Sequence, residues 1–149
     1  MKNGPLTEPL LGDTSPCMES VSKWLVSGLE RTPNGGKWLV FCGCANVERL
    51  WSLVASADQL GTGAKVSTHA DPTRFAGEHV ICVYTHDCRD EADVLRVGQR
   101  LAALVRMPGR RRVLRYKANA TTRAGLFGVG AGMYALAPPY RELERWAAP

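Results

Sequence analysis

The sequence has no apolar stretch approaching the ~20 residues that a membrane-spanning helix needs, so a transmembrane helix is excluded. It lacks a Gly-x-Ser-x-Gly elbow, which leaves Ser/His/Asp hydrolysis without a supporting motif. The run Gly128-Val129-Gly130-Ala131-Gly132 is not followed by the Lys-Ser/Thr of a P-loop and follows no strand-to-helix signal, so it reads as a flexible turn. Cys42-Gly43-Cys44, Cys82, Cys88, His79 and His86 match none of the common zinc spacings, and neither a metal nor a cofactor is expected. The start, Met1-Lys2-Asn3-Gly4-Pro5, lacks the apolar core of a secretory signal, which points to a cytoplasmic protein. Five cysteines there are expected as reduced thiols, the odd count leaving one unpaired in any case. No internal repeat is present.

What the chain does contain is ordinary globular material. At 149 residues, with 45% hydrophobic and 22% charged residues, it suits one compact domain. The Gly/Pro/Thr-rich residues 1–16 read as a flexible leader and residues 17–149 as the domain. The net charge of +5 is modest but uneven. Arg106, Arg110, Arg111, Arg112, Arg115, Lys117 and Arg123 crowd one segment, while acids gather from Asp87 to Asp93, so the basic segment should attract phosphate-bearing partners.

Ser15-Pro16 followed by Val21, Trp24, Leu25, Val26 and Leu29 at helical spacing predicts a helix over about 17–31. Trp38 to Cys42 is the apolar run of a buried strand; Asn46 is a cap for a second helix with Val47, Leu50, Trp51 and Val54 facing inward. Ala64 to Thr68 predicts a strand, residues 69–78 a loop carrying Arg74, and the β-branched and aromatic run from His79 to Thr85 the clearest strand of all. A helix over about 90–105 follows, ended by Met107-Pro108-Gly109, then a strand over Arg112 to Lys117 and another at Leu126-Phe127. Short strands with brief connections predict an α+β domain: a mostly antiparallel twisted sheet with helices packed on one face. The other face is where a ligand would sit.

Lys65, between small residues on a strand, is placed to point from a rigid base into a cleft. Taken singly it is an ordinary surface charge, as are Lys37, Arg74 and Lys117. As a set at strand ends and on one loop they form a candidate phosphate pocket, because converging cations bind a phosphate dianion through charge-assisted bonds and lower the proton affinity of a neighbouring lysine. Such a lysine can act as a general base. Tyr84 ends an apolar strand and fits a core aromatic or a ligand contact equally. The basic segment with Trp24, Trp38, Trp51, Tyr84 and Tyr116 supports a different reading, RNA or nucleotide binding, although Trp24 and Trp51 fit apolar helix faces and so core packing.

Two family resemblances accompany these residues. Gly36-Lys37-Trp38-Leu39-Val40, Leu60-Gly61-Thr62-Gly63-Ala64-Lys65-Val66-Ser67-Thr68, His79-Val80-Ile81-Cys82-Val83-Tyr84-Thr85-His86-Asp87, Asp93-Val94-Leu95-Arg96-Val97 and Tyr116-Lys117 resemble the Bles family over residues 36 to about 128. That family's function is uncharacterised, and its fold is compared with the translation-initiation cap-binding protein. More remotely, and in the same order, these stretches resemble the bacterial effector phosphothreonine lyases, which remove the α-proton of a phosphothreonine and expel phosphate without metal or cofactor.

The second resemblance implies roles. Lys65 falls on the family's catalytic-base lysine, Arg74 and Tyr84 on an arginine and tyrosine at the same interval, Lys117 on a phosphate-holding arginine, and Lys37 on the lysine of a Lys-x-His motif. Arg123 joins Arg74 and Lys117 as a phosphate-binding candidate. The histidine of that motif, the general acid, is Leu39 here, and leucine cannot donate a proton. Either another group such as Lys37, His69 or His79 replaces it, or the pocket binds phosphate without eliminating it; loss of the acid alone would slow the step by ~10²- to 10⁴-fold rather than forbid it. The expected function is a phosphothreonine-lyase-like domain binding a phosphorylated Ser/Thr peptide or protein. The alternative is a non-catalytic module for RNA, a cap-like nucleotide or a protein partner; a purely structural scaffold is a third.

Overall fold

The computed structural model describes residues 18, 24–28, 32–68, 77–123 and 133–145. Among the described residues seven strands form one sheet: β1 (Trp24–Ser27), β2 (Gly36–Gly43), β3 (Gly63–Ser67), β4 (Glu78–Thr85), β5 (Leu114–Ala118), β6 (Tyr134–Leu136) and β7 (Glu144–Arg145). Their order is β1-β3-β4-β2-β5-β6-β7, and every pairing is antiparallel. Helix α1 (Cys44–Ser56) follows β2, α2 (Glu91–Val105) follows β4, and the short α3 (Asn119–Arg123) follows β5. The α+β architecture is the one expected from the sequence.

Alternation along each strand divides the residues between the two faces. Trp38, Val40 and Cys42 of β2 lie beside Val83, Ile81 and His79 of β4, and this face packs on Val47, Leu50 and Val54 of α1 and Val94, Val97 and Leu101 of α2. Trp38 is fully buried and its indole Nε1 donates to the Val94 carbonyl at 2.9 Å, which ties the central strand to α2. Its ring meets Tyr116 edge-on at 5.2 Å, and Tyr116 meets Tyr134 at 5.7 Å. Helix α2 is started by Asp90, whose side chain accepts from the Asp93 amide at 3.2 Å, with Glu91 and Asp93 in the first turn. It stops at Arg106, which takes a left-handed conformation before Met107-Pro108-Gly109.

Four expectations change. The segment expected as a helix over 17–31 contains β1: Trp24 to Ser27 pair with Ser67 to Ala64, and sheet pairing overrides a helical spacing that rests on only a few apolar residues. Helix α1 begins at Cys44 after Gly43, so Asn46 sits inside its first turn rather than capping it. β6 and β7 had no signal in the sequence. Cys44 is disulfide-bonded rather than a reduced thiol, whereas Cys42, Cys82 and Cys88 are free as expected. The leader over residues 1–16, the strand at Leu126-Phe127 and the Gly128 to Gly132 turn lie outside the described residues.

Candidate anion-binding site

On the face turned away from α1 and α2, strand register gathers the cations. Lys37 of β2 stands opposite Tyr84 of β4 on one side and Lys117 of β5 on the other; Lys65 of β3 stands opposite Cys82 of β4, and Leu39 lies between Cys82 and Arg115. Each of these residues is two positions from the next on its strand, so Lys37/Leu39, Cys82/Tyr84 and Arg115/Lys117 point the same way. β1 adds Trp24, opposite Ser67, to the same face.

The aromatic rings organise the lysines. The Lys65 Nζ lies 3.9 Å from the Trp24 ring centroid and 5.9 Å from that of Tyr84, and the Lys37 Nζ lies 5.7 Å from Tyr84 on its own side. Tyr84 is fixed in turn from its backbone: its carbonyl accepts from the Thr62 amide at 2.9 Å, and a side chain at Gly61 would collide with that carbonyl. The glycines that close the preceding segment therefore serve the site as well as the turn.

Lys37 is only 8% exposed and Lys117 7%. Among the described residues the Lys37 ammonium makes no hydrogen bond or ion pair, its one recorded partner being the Tyr84 ring. Burial pulls the Lys37 proton affinity below the ordinary lysine range; Cys82 opposes this, while the positive charges of Lys65 and Lys117 add to it. Burial lowers Lys117 likewise, again against Cys82. The Cys82 thiol is pushed up by its own complete burial and drawn back by Lys37, Lys65 and Lys117. Three lysines thus converge electrostatically on one thiol, and cations set close together on largely buried side chains are the state that a bound anion would relieve.

Of the residues expected at the site, Lys37, Lys65, Lys117 and Tyr84 come together. Arg74 lies outside the described residues; Arg123 ends α3, with its side chain outside them too. Cys82 and Trp24 were not expected there. Cys82 follows from simple alternation, two residues before Tyr84, whereas Trp24 was hidden by the helix expectation. Trp38 and Tyr116, considered for stacking, are core residues on the opposite face, and the Tyr116 hydroxyl is bonded to Thr85 Oγ1 at 2.6 Å.

The proton donor needed for elimination is not recovered from histidine within this region. Leu39 occupies the motif position on the site face, while His79 points to the core face, its Nδ1 against the Ser67 carbonyl at 2.8 Å and its Nε2 against Cys44 Sγ at 3.5 Å. His86 is exposed beyond the end of β4, and His69 lies outside the described residues. Among the described residues no group of three or more His, Cys, Asp or Glu is arranged to hold a metal ion.

The family model described as basophilic leukemia-expressed protein Bles03 matches residues 30–125. Among solved structures, schistosome eIF4E complexed with m7GpppA and 4E-BP is similar over 69% of this chain and 59% of its own, at 18% identity and a TM-score of 0.51. Two others score lower. C. elegans eIF4E-3 with the 4E-binding protein Mextli and a cap analog matches at 26% identity, 61% and 54% coverage and a TM-score of 0.49. Ascaris suum eIF4E-3 with m7G cap matches at 22% identity, 57% and 51% coverage and a TM-score of 0.47. The chain spans 51 to 59% of the length of these three proteins. The schistosome protein supports a shared fold.

Proposed function

The chain belongs to the family of basophilic leukemia-expressed protein Bles03, and from that premise we propose that it is a non-catalytic module that binds the phosphates of a nucleotide or an RNA end on the helix-free face of its sheet. The observation that carries the reading is Lys37, a nearly buried residue whose ammonium has no hydrogen-bonding partner among the described residues and is repelled by Lys65 and Lys117. Lys37 and Lys117 take phosphate oxygens, Lys65 is held toward them by Trp24 and Tyr84, and Arg74 and Arg123 complete the set on sequence grounds alone. Support from the fold comes from the schistosome eIF4E, which was solved with m7GpppA. The Trp24 face is already taken by the Lys65 ammonium, so a positively charged methylated base has to compete with it. Phosphate, rather than the methylated base, is then the recognised group.

Titration of GpppA and m7GpppA, followed by tryptophan fluorescence at two salt concentrations, tests this. Both should bind with similar affinity, weaken with salt, and lose at least ~10-fold on Lys37→Met. Absence of binding at low salt sinks the reading. Elimination keeps one favourable observation, the lowered proton affinity of Lys37, which a general base requires. A phosphothreonine peptide incubated with the protein and weighed by mass spectrometry decides it: loss of phosphoric acid would replace the binding reading with catalysis.

A further inference from the structure

Two parallel rows lead away from the lysine cluster along β2 and β5. On β2 the site face continues from Lys37 through Leu39 to Phe41, and Phe41 is 47% exposed, unusual for a phenylalanine in the central strand of a sheet. Beside it, β5 continues from Lys117 to Arg115, opposite Leu39. The 3₁₀ turn Gly109–Arg112 extends that cationic row: Arg111 donates to the Phe41 carbonyl at 2.9 Å and pairs with Glu78 at 2.8 Å, and Arg110 is exposed in the same turn. Glu78 offsets Arg111 locally, while Arg110 adds positive charge to the turn and Arg115 to the strand. On the other flank β4 contributes Val80, opposite Phe41.

An aromatic platform beside a row of cations is the arrangement that binds single-stranded nucleic acid, with bases stacked on the ring and the phosphate backbone tracked by charge. From Lys37 to Phe41 is four residues of strand, about 14 Å at ~3.4 Å per residue, which a stacked strand rising ~3.4 Å per nucleotide covers in about four nucleotides. We propose that Phe41 is a base-stacking subsite for a single-stranded RNA whose 5′ phosphate lies in the lysine cluster, with the chain running past Leu39 toward the Arg110-Arg111 turn. The inference rests on the phosphate-binding reading and adds its substrate class: an RNA chain rather than a free nucleotide.

A ladder of 5′-phosphorylated oligouridylates, one to six nucleotides long, tests it against the unaltered protein, Phe41→Ala and Phe41→Trp. In the unaltered protein affinity climbs over the first ~4 nucleotides and then flattens. Phe41→Ala removes about 5- to 100-fold at the tetramer and leaves the mononucleotide unchanged, while Phe41→Trp retains the climb. Circular dichroism checks that the exposed substitution leaves the fold intact. A mononucleotide that binds while the ladder stays flat, or a climb that survives Phe41→Ala, overturns the subsite alone. A mononucleotide that does not bind overturns the lysine pocket, and a Phe41-dependent climb in longer chains would still support the subsite.

Discussion

On the face packed against α1 and α2, Trp38, Tyr116 and Tyr134 are buried to within 2% and each side-chain polar atom is bonded, to Val94, Thr85 and Cys88. On the opposite face of the same strands, one residue along, Lys37 and Lys117 are nearly as buried, yet burial works against both charges, and Lys65 and Lys117 add to it at Lys37. The first face is arranged for stability. The second carries a cost that stability alone does not explain, and such costs concentrate where a protein binds something. Substituting residues on each face tests whether that division of labour is real.

The largest effect belongs to the core face. Trp38→Ala removes a fully buried ring, its hydrogen bond to Val94 and its contact with Tyr116, and should lower stability by ~3–5 kcal/mol in urea unfolding. Gly98→Val comes next. A Cβ at Gly98 would stand 2.6 Å from Trp38 Cζ2 and 2.8 Å from Leu136 Cδ2, so overpacking should cost ~1–3 kcal/mol. If either variant unfolds with the midpoint of the parent, the tightly packed half of the comparison fails.

Lys37→Met should do the reverse. It fills similar space without the charge, so stability should hold or rise by ~1–2 kcal/mol while phosphate binding falls. The sign with pH follows from linkage. A lysine whose proton affinity is lowered by folding binds fewer protons folded than unfolded between its lowered pKa and the ordinary value of 10.5, so its destabilisation is complete below that window and fades as pH rises through it. Cys82, and Cys42 pushed up to about 11, act oppositely at alkaline pH because they hold protons longer when folded. The stability difference between Lys37→Met and the unaltered protein isolates the lysine, and it should shrink as pH is raised toward 10.5. A difference that stays constant would mean that Lys37 carries no burial penalty.

The difference between the faces also explains what could be seen in the sequence. The core strands were legible because apolar content and β-branching reflect burial directly: β2, β3 and β4 lie where Trp38 to Cys42, Ala64 to Thr68 and His79 to Thr85 placed them, to within a residue or two at each end. β1 was not, because Trp24, Leu25 and Val26 are too few to separate strand alternation from a helical face. The lysines were legible only as a set, since sequence gives alternation within a strand but not the register that puts Lys37 opposite Lys117 and Lys65 opposite Cys82. Phe41 looked like core in a five-residue apolar run; its exposure depends on what covers each face.

The smallest effect separates packing from positioning at Lys65. Its ammonium lies 3.9 Å from the Trp24 ring centroid at the edge of the sheet, in a half-buried setting where a cation–π contact contributes ~0.5–1 kcal/mol. Lys65→Gln should therefore cost less than ~1 kcal/mol, far below the Trp38 variant. A double-mutant cycle with Trp24→Leu should return a coupling of ~0.5–1 kcal/mol, because Leu preserves apolar cover while removing the ring's quadrupole. Zero coupling would mean that Trp24 merely shields Lys65, and the ring would then be free to stack on a base. In that case m7GpppA should bind more tightly than GpppA, and recognition would shift from phosphate to the methylated base on the same face.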